Sequence, residues 1–145
     1  MIGRPKAYLA ALGVWFVFLV VAFTLGTVRE LVVTPLTGED GAHIVGTLAV
    51  VAAFLGIMLI FVQRVRDDCT SGDFWLIGLL WLAMTVCFEF LFFHFVGGKP
   101  WDELLADYNV AQGRIWILVL LTTLLGPPAI HAILRGRAND GKAQR

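Results

Sequence analysis

The chain has 145 residues, of which 59% are hydrophobic and only 15% charged, and its eleven basic residues are balanced by eleven acidic ones. That composition leaves no stretch long enough for a separate soluble domain. There is no basic stripe or recognition motif for nucleic acid, so that class of partner is excluded. The chain reads as a single domain, residues 1–145, of an all-α integral membrane protein with four transmembrane helices and a short outer interfacial helix.

The first apolar run, residues 7–28, follows Arg4 and Lys6. It is too long for the apolar part of a signal peptide and ends in Thr27-Val28-Arg29-Glu30 without a small-residue cleavage site, so it is expected to stay on the mature chain. Ala22 and Gly26 form a small-residue pair at helical spacing, and Glu30 lies one step further along that face. In the connection that follows, Pro35 disfavours helix at Thr34, while Glu39 and Asp40 suit the start of the next helix. The second run, residues 44–62, carries Gly46, Ala49, Ala53 and Gly56 along one face, which is expected to meet another helix.

Residues 64–73 read as a short charged turn that holds Cys69. The third run, residues 74–96, is interrupted only by Glu89. Gly78, Leu82, Thr85 and Glu89 share one face, opposite a heavily aromatic surface. Cys69 and Cys87 should lie at different depths and cannot bridge within one chain. After Pro100, Trp101, Leu104, Leu105 and Tyr108 recur at offsets of three, four and seven, with Asp102, Glu103 and Asp107 on other sides, which predicts an amphipathic helix at the outer interface. The fourth run, residues 115–134, contains Gly126-Pro127-Pro128, expected to kink or break it. Residues 135–145 are expected to form a polar, mobile cytoplasmic tail. A faint echo, in which Glu30 precedes Gly38 and Glu89 precedes Gly97 by eight residues, hints at duplication of a hairpin.

The basic residues set the orientation. With the N-terminus inside, Arg4, Lys6, Arg64, Arg66, Arg135, Arg137, Lys142 and Arg145 fall on the inner side and only Arg29, Lys99 and Arg114 on the outer. Both termini are therefore expected in the cytoplasm.

Glu89 is the sharpest candidate for chemistry. A charged carboxylate within a span costs about 2.5–3.5 kcal/mol on insertion scales unless it is neutral, paired or wet. An ion pair with Arg29 or Arg114 would answer that cost, as would protonation. Two readings stay open: a structural bond between helices, or a site for a proton, cation or small polar molecule that also uses Arg29, Glu30 and Arg114. His43 and His94 fall at similar depth and allow a haem or metal reading, although no metal-type spacing is present. Asp107, Tyr108 and Asn109, with Gly113 and Arg114, either close the outer side structurally or form a polar pocket for an anionic headgroup or small ligand. Trp75, Trp81, Trp101 and Trp116 read as membrane anchors and packing residues. His131 is expected at the inner interface.

The stretch Phe88-Glu89-Phe90-Leu91-Phe92-Phe93-His94, followed by Trp101-Asp102-Glu103-Leu104-Leu105, Asp107-Tyr108-Asn109 and Gly113-Arg114-Ile115-Trp116, resembles small uncharacterised bacterial four-span membrane proteins. Arg29-Glu30 and Ala42-His43 extend the likeness to both hairpins. The resemblance implies a bacterial inner-membrane location and carries no activity.

No nucleophile–base pair, phosphate loop or zinc spacing is present, and no cofactor is favoured. The expected function is a non-catalytic one by association, as a homo-oligomer or as an accessory subunit of a membrane complex, with the lipid bilayer as its surroundings. The alternatives are a transporter or ligand-binding protein using the outer polar layer, and a redox protein using His43 and His94.

Overall fold

The computed structural model describes residues 3–106 and 115–143. Every element among them is helical: α1 (Arg4–Val28), a π-helical turn (Arg29–Val33), α2 (Thr34–Val65), α3 (Ser71–Phe95), α4 (Trp101–Ala106) and α5 (Ile117–Ala143). Three helical stretches, Arg4–Val65, Ser71–Phe95 and Ile117–Asn139, are long and apolar enough to cross a membrane. Helix suits such sequences because it satisfies each backbone amide and carbonyl within the segment, where lipid offers no partners.

The 62-residue stretch is not straight. Gly38 has φ 76° and ψ 172°, a conformation open to glycine and strained for residues with a Cβ. The chain folds back there, so Phe18 of α1 stacks on Phe54 of α2 with ring centroids 4.3 Å apart. The break falls later than the Thr34-Pro35 signal suggests, because Thr34 is itself helical (φ −59°, ψ −43°). The Thr34 amide bonds to Arg29 O, five residues back. Thr34 Oγ1 reaches the same oxygen at 3.1 Å. This wider turn accommodates Pro35, which has no N–H to give and whose ring crowds the preceding turn.

In the bundle, α5 lies against α2 and α3, while α1 lies against α2 and, more lightly, α3. Trp81 sits at the centre, fully buried. It meets Phe18 edge-on at 4.9 Å and Phe61 at 5.4 Å. Its indole N–H donates to Ala11 O at 2.8 Å. Trp15 crosses from α1 to α3 in the same way, donating to Thr85 Oγ1 at 3.1 Å.

Close approach of α3 and α5 depends on Gly78, where an added Cβ would lie 2.2 Å from Leu124 O. Gly126 does the same for α2 and α5, since a Cβ there would meet Met58 Sδ at 2.4 Å. The Gly126-Pro127-Pro128 sequence does not break the fourth helix, which runs through it with Pro127 buried. Residues 135–143, expected as a tail, continue α5 as helix.

The small-residue stripe of the second run is not the main packing face. Ala42, Thr47, Val50, Phe54, Met58, Phe61, Val62 and Val65 are the buried residues of α2, whereas Gly56 is exposed with open space around it. Large side chains fill the wide centre of the bundle, and small ones serve only where backbones nearly touch.

Candidate functional site

Polar side chains collect at the two ends of the bundle. At the end formed by the 66–70 turn, Thr70 takes an extended conformation (φ −88°, ψ 167°) and caps α3. Its hydroxyl accepts from the Asp73 amide at 3.4 Å, while the Asp73 carboxylate accepts from the Thr70 amide at 2.7 Å and its hydroxyl at 2.8 Å. This reciprocal capping box satisfies donors that the helix start leaves orphaned.

The other carboxylate oxygen of Asp73 faces α1. It accepts from Arg4 Nη2 at 2.6 Å and from the Tyr8 hydroxyl at 2.9 Å. Asp73 is 1% exposed, yet both of its oxygens are engaged twice. The Gly3 amide donates to Asp68 Oδ1 at 3.3 Å, and Arg135 Nη1 to Ser71 Oγ at 3.3 Å. Four polar contacts thus tie α1 and α5 to the turn that starts α3. In that turn Cys69 is buried, and burial, reinforced by the nearby Asp73 and Asp68 carboxylates, pushes its thiol pKa up.

Sequence reasoning missed this cluster, assigning Asp73 to a charged turn. The signal was present as Thr70-Ser71-Gly72-Asp73 immediately before an apolar run, the spacing of a capping box. No pattern announced Arg4 and Tyr8, which are brought to Asp73 by tertiary packing alone. His131, expected at the interface, is buried at 7% exposure and stacks on Phe74 at 4.4 Å, because the first turn of α3 lies over it.

At the opposite end, Glu89 is half-buried and accepts a 2.8 Å bond from Trp116 Nε1 just before α5. The aromatic residue read as an anchor thus joins the third and fourth runs. Arg29 pairs with its neighbour Glu30 rather than with Glu89. Its aliphatic stem covers Gly46, where a Cβ would come within 2.8 Å of Arg29 Cδ. Asp107, Tyr108, Asn109 and Arg114 lie outside the described residues.

His43 is half-buried near the start of the descending part of α2. His94 is engaged locally, with Nδ1 2.8 Å from Lys99 O and its ring stacked on Trp101 at 4.0 Å. Among the described residues, no three His, Cys, Asp or Glu side chains form a group able to hold a metal ion. Trp101 also stacks on Phe90 at 6.0 Å, so α4 is fastened to the end of α3 by its first residue.

Together these features define, among the described residues, an all-helical chain with three stretches long and apolar enough to cross a membrane and polar fastenings at both ends. Comparison with known protein families, with curated proteins and with solved structures finds no match.

Proposed function

We propose that this is a four-crossing protein of a bacterial inner membrane, with both termini cytoplasmic, that acts by association as a homo-oligomer or as an accessory subunit of a membrane complex. The observation that carries this reading is the contrast between outside and inside. Only 22–33% of the three apolar windows is buried within the chain. Large side chains such as Leu9, Phe16, Val20, Leu48, Ile60, Leu79 and Leu91 face outward. Lipid or other membrane helices are the surroundings that such a surface fits. The buried Asp73 carboxylate, in contrast, is used to fasten the chain to itself.

The four-crossing reading is supported by the fold-back at Gly38, which divides the longest apolar stretch into two arms. The inside location of the termini is supported by the contacts of Arg4 and Arg135 with the α3 start, which gather basic residues at one end. An outer interfacial position for α4 is supported by the exposed Trp101 and Leu105.

Native mass spectrometry of the protein released gently from membranes at natural abundance tests the association. A discrete multiple of 16.0 kDa, or a defined complex with another membrane subunit, is expected. A bare monomer carrying only lipid would overturn the reading. Half-burial of Glu89 keeps a second reading in view, a site for a proton, cation or small polar molecule. Under that reading Glu89→Gln leaves assembly intact and removes pH-linked or ligand-linked behaviour.

A further inference from the structure

The end of the bundle that carries Asp73 also holds an open groove of about 640 Å³ between residues 66–72 and the last turns of α5. We propose that this groove binds a phosphate group, the chemistry shared by an anionic phospholipid headgroup and free phosphate. Its walls supply two guanidinium groups, an imidazole, the start of a long helix and one carboxylate, that of Asp67.

His131 lines the groove and is more than nine-tenths buried. Its ring is held flat against Phe74, and no hydrogen bond to either ring nitrogen is made among the described residues. The imidazole reaches the groove with its polar edge unengaged among the described residues, and an anionic oxygen there would supply a partner. Arg135 uses one terminal nitrogen on Ser71 Oγ and keeps the rest of its fork for a second acceptor. Arg66 contacts Asp67 through Nε, at 3.8 Å. The Asp67 side chain is 80% exposed and directs little unscreened charge into the site. Asp73, the buried acid nearby, is already engaged by Arg4, Tyr8 and Thr70.

The first-turn amides of α3, at Ser71 and Gly72, have no acceptor within the helix, and both residues line the groove. Trp75 lies one turn further along α3, about 6 Å by helical rise, and is 53% exposed. An exposed indole at that height marks the headgroup layer, which sets the groove at phosphate depth. The inference rests on the chain crossing a bilayer but not on its association with other subunits.

The test uses the full chain in phosphatidylcholine nanodiscs containing phosphatidylglycerol, with lipid retention read by native mass spectrometry. Wild type is expected to retain phosphatidylglycerol at least fivefold over phosphatidylcholine. Arg66→Gln with Arg135→Gln should bring that preference below twofold, and His131→Phe, which keeps the stacking on Phe74, should reduce it at least threefold. Arg137→Gln, outside the groove, should leave it unchanged. Release of the lipid by millimolar inorganic phosphate would identify phosphate itself as sufficient, whereas retention would identify the lipid as the source. Equal retention of both lipids with no thermal stabilisation by inorganic phosphate would overturn the proposal. So would a preference that survives the double substitution. A monomeric mass would count against association while leaving this readout intact.

Discussion

Replacing Asp73 separates the charge of the inner cluster from its shape. Asp73→Ala removes every acceptor that Arg4, Tyr8 and Thr70 use. Arg4 is exposed and re-solvates, so its share is left out. The Thr70 amide and the Tyr8 hydroxyl remain, each costing about 1–3 kcal/mol when left without a partner. Thr70 is exposed and Tyr8 only half-buried, so both belong at the low end, giving a loss on the order of 2–3 kcal/mol. Asp73→Asn behaves differently. Its single carboxamide oxygen can serve the Thr70 amide, while its NH2 donates to the Tyr8 oxygen and Arg4 swings away. The charge assistance disappears but no buried donor is stranded, so about 1–2 kcal/mol is expected.

Reversible denaturation of the purified protein in mixed dodecylmaltoside–SDS micelles, followed by circular dichroism, measures both variants. Tyr8→Phe closes a double-mutant cycle. Because Tyr8 and Asp73 share one bond, the loss in the double variant should fall short of the summed single losses. An Asp73→Ala protein within about 0.5 kcal/mol of wild type, or equal losses for Ala and Asn, would refute the account, since Ala loses the hydrogen bonds outright and Asn only their charge assistance.

Gly78→Ala forces its new Cβ against Leu124 O and should destabilise by about 1–3 kcal/mol or more in the same assay, while Gly56→Ala, with open space around it, should be neutral or slightly stabilising. Trp116→Phe removes the donor to Glu89 and should cost about 1–2 kcal/mol. Cys69, buried with its thiol pKa raised, should react slowly with a water-soluble maleimide at neutral pH and faster as pH climbs above the usual thiol range. Because the folded state holds that proton more tightly than the unfolded chain, its contribution to stability is complete below the ordinary thiol pKa and lost as pH rises through the folded value. A labelling rate at pH 7 equal to that of the unfolded chain would contradict the burial.

The legibility of this chain differs by level. Apolar runs identified the helices because lipid leaves the backbone few other conformations, and the face carrying Gly78, Thr85 and Glu89 was visible from spacing alone. Its members do contact neighbouring elements, through Leu124 of α5, Trp15 of α1 and Trp116 just before α5 respectively. The location of the bend was not legible, because Pro35 is the louder local signal and its effect is absorbed by a π-helical turn. Gly126-Pro127-Pro128 failed as a breaker for a related reason: tertiary packing against Met58 holds the helix through a locally poor sequence. Glu89 drew attention by lying in mid-run, while Asp73 escaped it by lying at a run's edge. Burial depends on what other helices cover, and Arg4 and Tyr8, which cover Asp73, are more than sixty residues away in the chain.

The interior constrains how any transport reading could operate. A path for an ion along the axis of one chain needs polar groups or water at successive depths. Here the axis is occupied by Phe74, Ile77, Trp81, Met58 and Val119, all at 0–1% exposure. Trp81 is pinned further by its bond to Ala11 O and by Phe18 and Phe61 around it. Moving that indole would open a cavity and strand a buried N–H together, a cost that single-chain gating would have to meet in every cycle. The polar clusters at the two ends are thus separated, among the described residues, by a mainly apolar layer that also holds the buried Thr47 and Thr123, and a route between chains avoids displacing Trp81. Both readings of function therefore depend on the same outward-facing surface, and the oligomeric state is the property on which they turn.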